Sequence, residues 1–233
     1  VMNAALILSG GSGTRMGTDC PKQFLPIGGV PILCRTVQSF CSHPEIDCIM
    51  VVCSDDMLDQ TRSLLLPLHT KKPLFFAPGG KTRQASSKNG LLALSAQCTQ
   101  PDIVVIHDAA RPLIPHSVIS RCIAGAKMHG ACTAAVPSQD TVAAADVDGR
   151  IRSIPDRSTL YQIQTPQAFS FSLILQAHLS LSVDAAVTDD TAVARLAGHD
   201  VFIVQGDKRS LKVTTKEDLR FAESLLTDCG FDC

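Results

Sequence analysis

The sequence predicts an α/β fold: three layers, with helices on both faces of a mostly parallel, Rossmann-like sheet. Three observations point there. An apolar run, Ala4 to Leu8, breaks into a glycine-rich turn at 9–17, the usual opening of a nucleotide-binding sheet. Four consecutive apolar residues, Ile103 to Ile106, suit a strand buried on both faces. Strand-like and helix-like stretches then alternate along most of the chain, as a parallel sheet with crossover helices requires.

The elements follow in order. After the first strand, a helix is expected from Pro31 to about Ser42 and a strand at Ile49 to Cys53. A helix over about 55–66 leads to a short strand near Leu74 to Ala77. The helix over about 82–97 carries Leu91, Leu92 and Leu94 toward a core. Beyond Ile106, the residues Val118, Ile119, Cys122, Ile123 and Ala126 recur at helical spacing. A strand over about 131–136 precedes a long irregular part. Helices over about 171–182 and 190–198, a strand at Val201 to Val204 and a last helix complete the chain. That helix opens at Thr215 with Asp218 three positions on, an approximate capping box. Nothing marks a second domain, so residues 1–233 read as one.

Composition narrows the function. Twenty-one Lys and Arg against twenty-two Asp and Glu leave a net charge of −1, so no global field favours nucleic acid. No apolar run approaches the roughly 20 residues of a membrane span, and Ala4 to Leu8 is too short for a signal-peptide core. The ten cysteines form no C-x-x-C pair and stand near no His at zinc-finger spacing. They read as free thiols of a reducing cytoplasm, mostly small core residues.

One segment breaks the rhythm. Residues 141–155 contain Asp148-Gly149, a strong tight-hairpin signal, between weakly apolar flanks. A lone hairpin with so little to bury is marginal in water. It must rest either on its own domain or on a partner subunit.

The glycine turn lacks the third glycine of a dinucleotide fingerprint, where Met16 stands, and no Lys-Ser or Lys-Thr follows to make a P-loop. What remains is a small-residue nest able to approach an anion closely, beside Arg15 and Lys22. That pairing suits a polyphosphate.

The run Leu8-Ser9-Gly10-Gly11-Ser12-Gly13-Thr14-Arg15-Met16-Gly17, followed by Pro21-Lys22-Gln23-Phe24-Leu25, resembles the N-terminus of the cytidylyltransferases of 2-C-methyl-D-erythritol 4-phosphate. The likeness continues through His107-Asp108-Ala109-Ala110-Arg111-Pro112, Asp140-Thr141, Asp156-Arg157, Thr165-Pro166-Gln167, Thr188-Asp189-Asp190 and Leu211-Lys212-Val213-Thr214. The motifs keep their order from about 9 to 214.

The resemblance implies the sheet of a nucleotide-diphospho-sugar transferase with a projecting β-hairpin arm at about 138–158. It implies CTP and a sugar-alcohol phosphate as substrates and Mg²⁺ as cofactor. Arg15, Lys22, Arg157 and Lys212 would be the catalytic cations. Ser9, Gly10, Gly11, Gly13, Gly80, Ser86, Asp108 and Ala109 would line the nucleotide, with the loop Pro78 to Arg83 and Ser86 reading the cytosine edge. Lys81 and Ala85 stand where some members carry Asp, which leaves a main-chain role open. Asp108, Arg111, Thr141, Arg157, Thr165 and Thr188 would face the acceptor, Asp108 also helping to position the metal ion, and His107 would support its loop. The arm would cross to a second copy, making a homodimer. A ribitol 5-phosphate cytidylyltransferase shares many of these motifs and is the nearest alternative. An NAD-dependent oxidoreductase and a non-catalytic nucleotide-binding regulator are more distant ones.

Overall fold

The computed structural model describes residues 1–10, 21–97, 100–182 and 187–229. The first strand, β1 (Asn3–Leu8), is followed by a two-strand ribbon, β2 (Pro26–Ile27) and β3 (Val30–Pro31). Helix α1 (Ile32–Ser42) leads to β4 (Cys48–Cys53), α2 (Leu58–Leu65) and β5 (Leu74–Pro78). Helix α3 (Arg83–Gln97), β6 (Ile103–Asp108), α4 (His116–His129) and β7 (Ala131–Pro137) continue the alternation. The arm holds β8 (Ala144–Ala145) and β9 (Ile151–Ser153). After it come β10 (Tyr161–Ser170), α5 (Phe171–Ser180), α6 (Asp190–Leu196), β11 (Phe202–Gln205) and α7 (Lys216–Cys229).

The main sheet has seven strands in the order β11-β7-β10-β6-β1-β4-β5. All neighbours pair in parallel except β10, which runs antiparallel to both β6 and β7. The expected α/β sheet is therefore present and mostly parallel. The stretch expected to be irregular is corrected, since its second half is the ten-residue strand β10. Pro166 and the polar run Gln162, Gln164, Thr165, Gln167 hide the strand pattern, because β-strands disfavour proline and rarely bury so many amides.

The period-2 alternation of the central strands builds two cores. Ala5 and Ile7 of β1, with Ile49, Val51 and Val105, pack against Leu33, Val37 and Phe40 of α1 and Ile119 and Ile123 of α4. Ala4 and Leu6, with Met50, Val52, Val104 and Ile106, meet Leu91 and Leu94 of α3, Ile174 of α5 and Val193 of α6 on the other face. These are the three layers. Leu92 departs from expectation and is 43% exposed, because one residue of helix turns it about 100° away from Leu91. Helix α3 lies close to the sheet at Gly90, where a Cβ would come 2.5 Å from Leu6 Cδ1 and 2.7 Å from Val52 Cγ2.

The capping box of α7 forms as read. Asp218 accepts from the Thr215 main-chain N–H at 2.9 Å, and the Thr215 hydroxyl accepts from the Asp218 N–H at 3.2 Å. The hairpin also forms, with Gly149 at φ +81° and Asp146 accepting from the N–H groups of Asp148 and Arg150. Its strands are exposed throughout. Among the described residues, no helix is long and apolar enough to cross a membrane.

Candidate active site

Parallel strands β1 and β6 end side by side, with Leu8 paired to Asp108. The cleft beyond those carboxyl ends is where open α/β sheets place ligands. A cavity of about 260 Å³ sits there, and Ser9, Gly10, Lys22, Gly80, Ser86, Asp108, Ala109 and Lys212 all line it. An adjoining cavity of about 160 Å³ takes in Arg111, Thr165 and Thr188 beside Asp108 and Lys212. Arg15, Gly11 and Gly13 lie outside the described residues. Thr141 and Arg157 are exposed on the arm and line neither cavity. The Arg157 guanidinium donates to the Gln139 carbonyl at 3.0 Å.

The two lysines reach the cavity from opposite ends of the chain. Lys22 opens a single 3-10 turn, and its ammonium group lies 3.4 Å from the Val213 carbonyl. Val213 in turn donates its N–H to the Ala110 carbonyl at 2.8 Å, joining the Lys212 loop to the loop after β6.

On the opposite wall, the loop after β5 is held by its own groups. Gly79 N–H donates to the Cys53 carbonyl, Gly80 N–H donates to Ser86 Oγ at 3.0 Å, and that hydroxyl donates to the Thr82 carbonyl at 2.9 Å. A Cβ at Gly79 would sit 2.9 Å from Ser86 Oγ, and one at Gly80 would strike the Ala85 methyl. Only glycines leave the main chain this close to the cavity. In this arrangement the Ser86 hydroxyl shapes the loop.

A hydrogen-bonded chain fixes the loop after β6. His107 is fully buried, and its Nε2 lies 3.1 Å from the Arg111 carbonyl, which can only accept. Nε2 therefore carries the proton. Burial lowers the His107 pKa to about 4, so near neutrality Nδ1 is an acceptor. The Thr165 hydroxyl, 3.1 Å away, must donate to it. That leaves the Thr165 oxygen to accept from the Asp108 main-chain N–H, also at 3.1 Å. The β10–β6 ladder runs only from Ser170 opposite Ile103 to Gln167 opposite Ile106. Beyond it, the Thr165 side chain replaces the missing main-chain partner, so Thr165 supports Asp108 as well as lining the smaller cavity.

Asp108 is the electrostatic centre. Lys212 Nζ is 2.8 Å from its Oδ2, Arg83 Nε 3.6 Å from its Oδ1, and Arg111 Nε 3.9 Å from its Oδ2. Burial alone would raise this carboxyl's pKa, but Lys212, Arg83 and Arg111 outweigh it and hold it well below the usual carboxylate range. Arg83 was grouped by sequence with the base-reading loop, yet its guanidinium reaches fully buried Asp190 at 2.7 Å. Asp190 also receives His178 Nε2–H at 2.9 Å. Burial opposes the charge on Asp190 too, and Arg83 and His178 overcome it, leaving its pKa lowered.

Sequence reasoning missed Arg83, Asp190 and His178 as one unit. The last two were visible only as part of a motif and as a histidine in an apolar helix.

Among the described residues, no three His, Cys, Asp or Glu side chains could cage a metal ion. A single carboxylate in a polar cleft instead fits a hard cation carried mainly by phosphate oxygens and water.

Comparison with known proteins gives the family. The family model of 2-C-methyl-D-erythritol 4-phosphate cytidylyltransferase (IspD) matches residues 3–228. A protein of that name from Syntrophotalea carbinolica is 41% identical over 227 residues, covering 97% of this chain and 96% of its own length. A bifunctional enzyme IspD/IspF from Rhodopseudomonas palustris strain BisB18 is 41% identical over 225 residues, and the chain spans only 55% of its length. In three dimensions, the 4-diphosphocytidyl-2C-methyl-D-erythritol synthase of Anaerococcus prevotii superposes with a TM-score of 0.84 at 30% identity, over 97% of this chain and 96% of that one. With the fold and nearly the whole length in agreement, the chain belongs to the 2-C-methyl-D-erythritol 4-phosphate cytidylyltransferase family.

Proposed function

We propose that the cleft beyond β1 and β6 is where the chain transfers CMP from CTP to 2-C-methyl-D-erythritol 4-phosphate, giving 4-diphosphocytidyl-2-C-methyl-D-erythritol and pyrophosphate. The observation that carries this placement is the meeting of Lys22, Lys212 and Asp108 with the Gly80–Ser86 wall around one cavity. An acceptor phosphate oxygen attacks the α-phosphorus as the bond to the β-phosphate breaks, and the electron pair leaves with pyrophosphate. Such transfer needs positioning and charge stabilisation more than covalent help. Lys22, with Arg15, stabilises the charge gathering on the α-phosphate and the leaving group. Lys212 holds the acceptor phosphate, while Asp108, Arg111, Thr165 and Thr188 border the acceptor side. The loop after β5 offers main-chain groups to the cytosine edge. Mg²⁺ bound mostly by triphosphate oxygens and water, with Asp108 alongside, would neutralise triphosphate charge.

Arg157 and Thr141 complete the acceptor site from a second copy. Their exposure away from their own cleft supports this, as does the apolar surface the arm presents at Val147, Ile151 and Ile154. A planar guanidinium suits bidentate phosphate binding. The cytoplasm supplies CTP and keeps thiols reduced, in keeping with Cys34, Cys41, Cys48, Cys53, Cys122 and Cys132 being free.

The test is pyrophosphate release with each of four nucleoside triphosphates and with methylerythritol or ribitol phosphate as acceptor. Turnover should require CTP, methylerythritol phosphate and Mg²⁺ together, and equal turnover of ribitol 5-phosphate would overturn the substrate. For the shared site, inactive Thr141→Ala and Lys22→Ala chains should recover partial activity when mixed. Heterodimers no more active than the parents would refute it.

A further inference from the structure

Three cations surround Asp108, and two of them are tied elsewhere. Arg111 Nη1 donates to the Ser210 carbonyl at 2.6 Å. Arg83 Nη1 is anchored on Asp190, which is wholly buried and braced by His178 and, through its main-chain N–H, by Gln167. Lys212 is different. Its 2.8 Å contact with Asp108 Oδ2 is its one charged contact among the described residues, and its side chain is 41% exposed. The closest cation of the three is thus also the one best able to move.

We propose that Arg83, anchored by Asp190, is a positioning residue that keeps the Asp108 carboxylate compensated and in place, so that Lys212 can leave it for the acceptor phosphate. This rests on the reading of Lys212 as an acceptor-phosphate cation. With Lys212 on the phosphate, Asp108 and Asp190 still face Arg83 and Arg111, and the charges balance. Without a bridging guanidinium at 83, Asp108 Oδ1 loses its cation and the carboxylate holds Lys212 more tightly, because an uncompensated charge in a nearly buried site is costly. The acceptor phosphate must then compete with Asp108 for the same ammonium group. Asp108 is in this view a holding post for Lys212, and Arg83 sets how firmly it holds.

The test is steady-state kinetics of Arg83→Lys, which keeps a charge for Asp190 but cannot span both carboxylates, alone and combined with Asp108→Asn. The acceptor KM should rise about tenfold, the size expected from one charge-assisted contact, while the KM for CTP stays within about twofold. A merely structural role would lower the active fraction and move neither KM. In the Asp108→Asn background, where a neutral amide no longer detains Lys212, Arg83→Lys should change the acceptor KM by less than about twofold. An unchanged acceptor KM in the single variant overturns the proposal. Effects that multiply independently also overturn it, since they would mean that Arg83 touches phosphate directly. Should Arg83→Lys not fold, Asp190→Asn loosens the same anchor while leaving the His178 bond possible, and it must show the same selective rise in acceptor KM or the proposal fails. A wild-type chain with no CTP-dependent turnover would sink the reading of the site itself; normal wild-type turnover with an indistinguishable Arg83→Lys sinks this inference alone.

Discussion

Replacing Thr165 with Val tests the hydrogen-bonded chain that holds Asp108. The two side chains have nearly the same shape, and Thr165 is only 4% exposed, so packing is kept and the hydroxyl alone is lost. Two buried groups are then left without partners, the Asp108 main-chain N–H and His107 Nδ1, each 3.1 Å from the missing oxygen. An orphaned buried polar group costs about 1–3 kcal/mol, so the pair should cost about 2–6 kcal/mol. Thr165→Ser is the control: it keeps both bonds and gives up one methyl, for about 1 kcal/mol. Urea unfolding followed by circular dichroism measures both, and the Val variant should lower the midpoint well beyond the Ser variant at an unchanged slope. Turnover should fall as well, because the main chain carrying Asp108 is released. If Thr165→Val is as stable as Thr165→Ser, within about 0.5 kcal/mol, the donor order deduced for His107, Thr165 and Asp108 is wrong.

The same chain gives a pH dependence. Burial holds His107 at about 4 in the folded protein, against about 6.5 when exposed, so between those values the unfolded chain binds more protons and stability rises with pH. Its contribution is complete above pH 6.5 and fades by about 3 kcal/mol as pH falls to 4; urea titrations of His107→Gln, which can still donate to the Arg111 carbonyl, should be flatter by that amount, and parallel curves would refute it. Ser86→Ala removes the hydroxyl that accepts from Gly80 and donates to Thr82, so the CTP KM should rise several-fold, about 1 kcal/mol for one such bond, with the acceptor KM unchanged. An unaltered CTP KM would mean that the loop keeps its shape without that hydroxyl.

Local signals carried far in this chain. The apolar runs of β1, β4 and β6 announce strands buried on both faces, and Thr215 with Asp218 announces the start of α7, because each rests on residues adjacent in sequence. Strand β10 was hidden since its middle departs from the ladder to serve the site. Thr165 faces His107 and Asp108, Gln164 donates to the Asp207 carbonyl, and Gln167 accepts from the N–H groups of Asp190 and Thr191. Its polar pattern answers to partners tens of residues away. The Arg83–Asp190–His178 group was illegible for the same reason. Three residues on α3, α6 and α5 carry no shared local pattern, and only the folded sheet brings them under Asp108.

That non-locality extends to the spacing of the cleft's cations. Lys22, Arg111 and Lys212 come from three distant segments, and each segment sends its apolar neighbours into one small cluster. Ile27 and Ile32 follow Lys22, Leu113 follows Arg111, Val213 follows Lys212, and Ala222 of α7 closes the group. Close-packed side chains of this kind resist small displacements. The distances among the cations are therefore set by an apolar cluster whose buried residues line neither cavity. This explains how a chain with a net charge of −1 maintains a locally basic cleft. Overall composition sets the average, while packing decides where like charges are held together, and each cation has a partner in the cleft: Val213 O for Lys22, Ser210 O for Arg111 and, for the movable Lys212, Asp108.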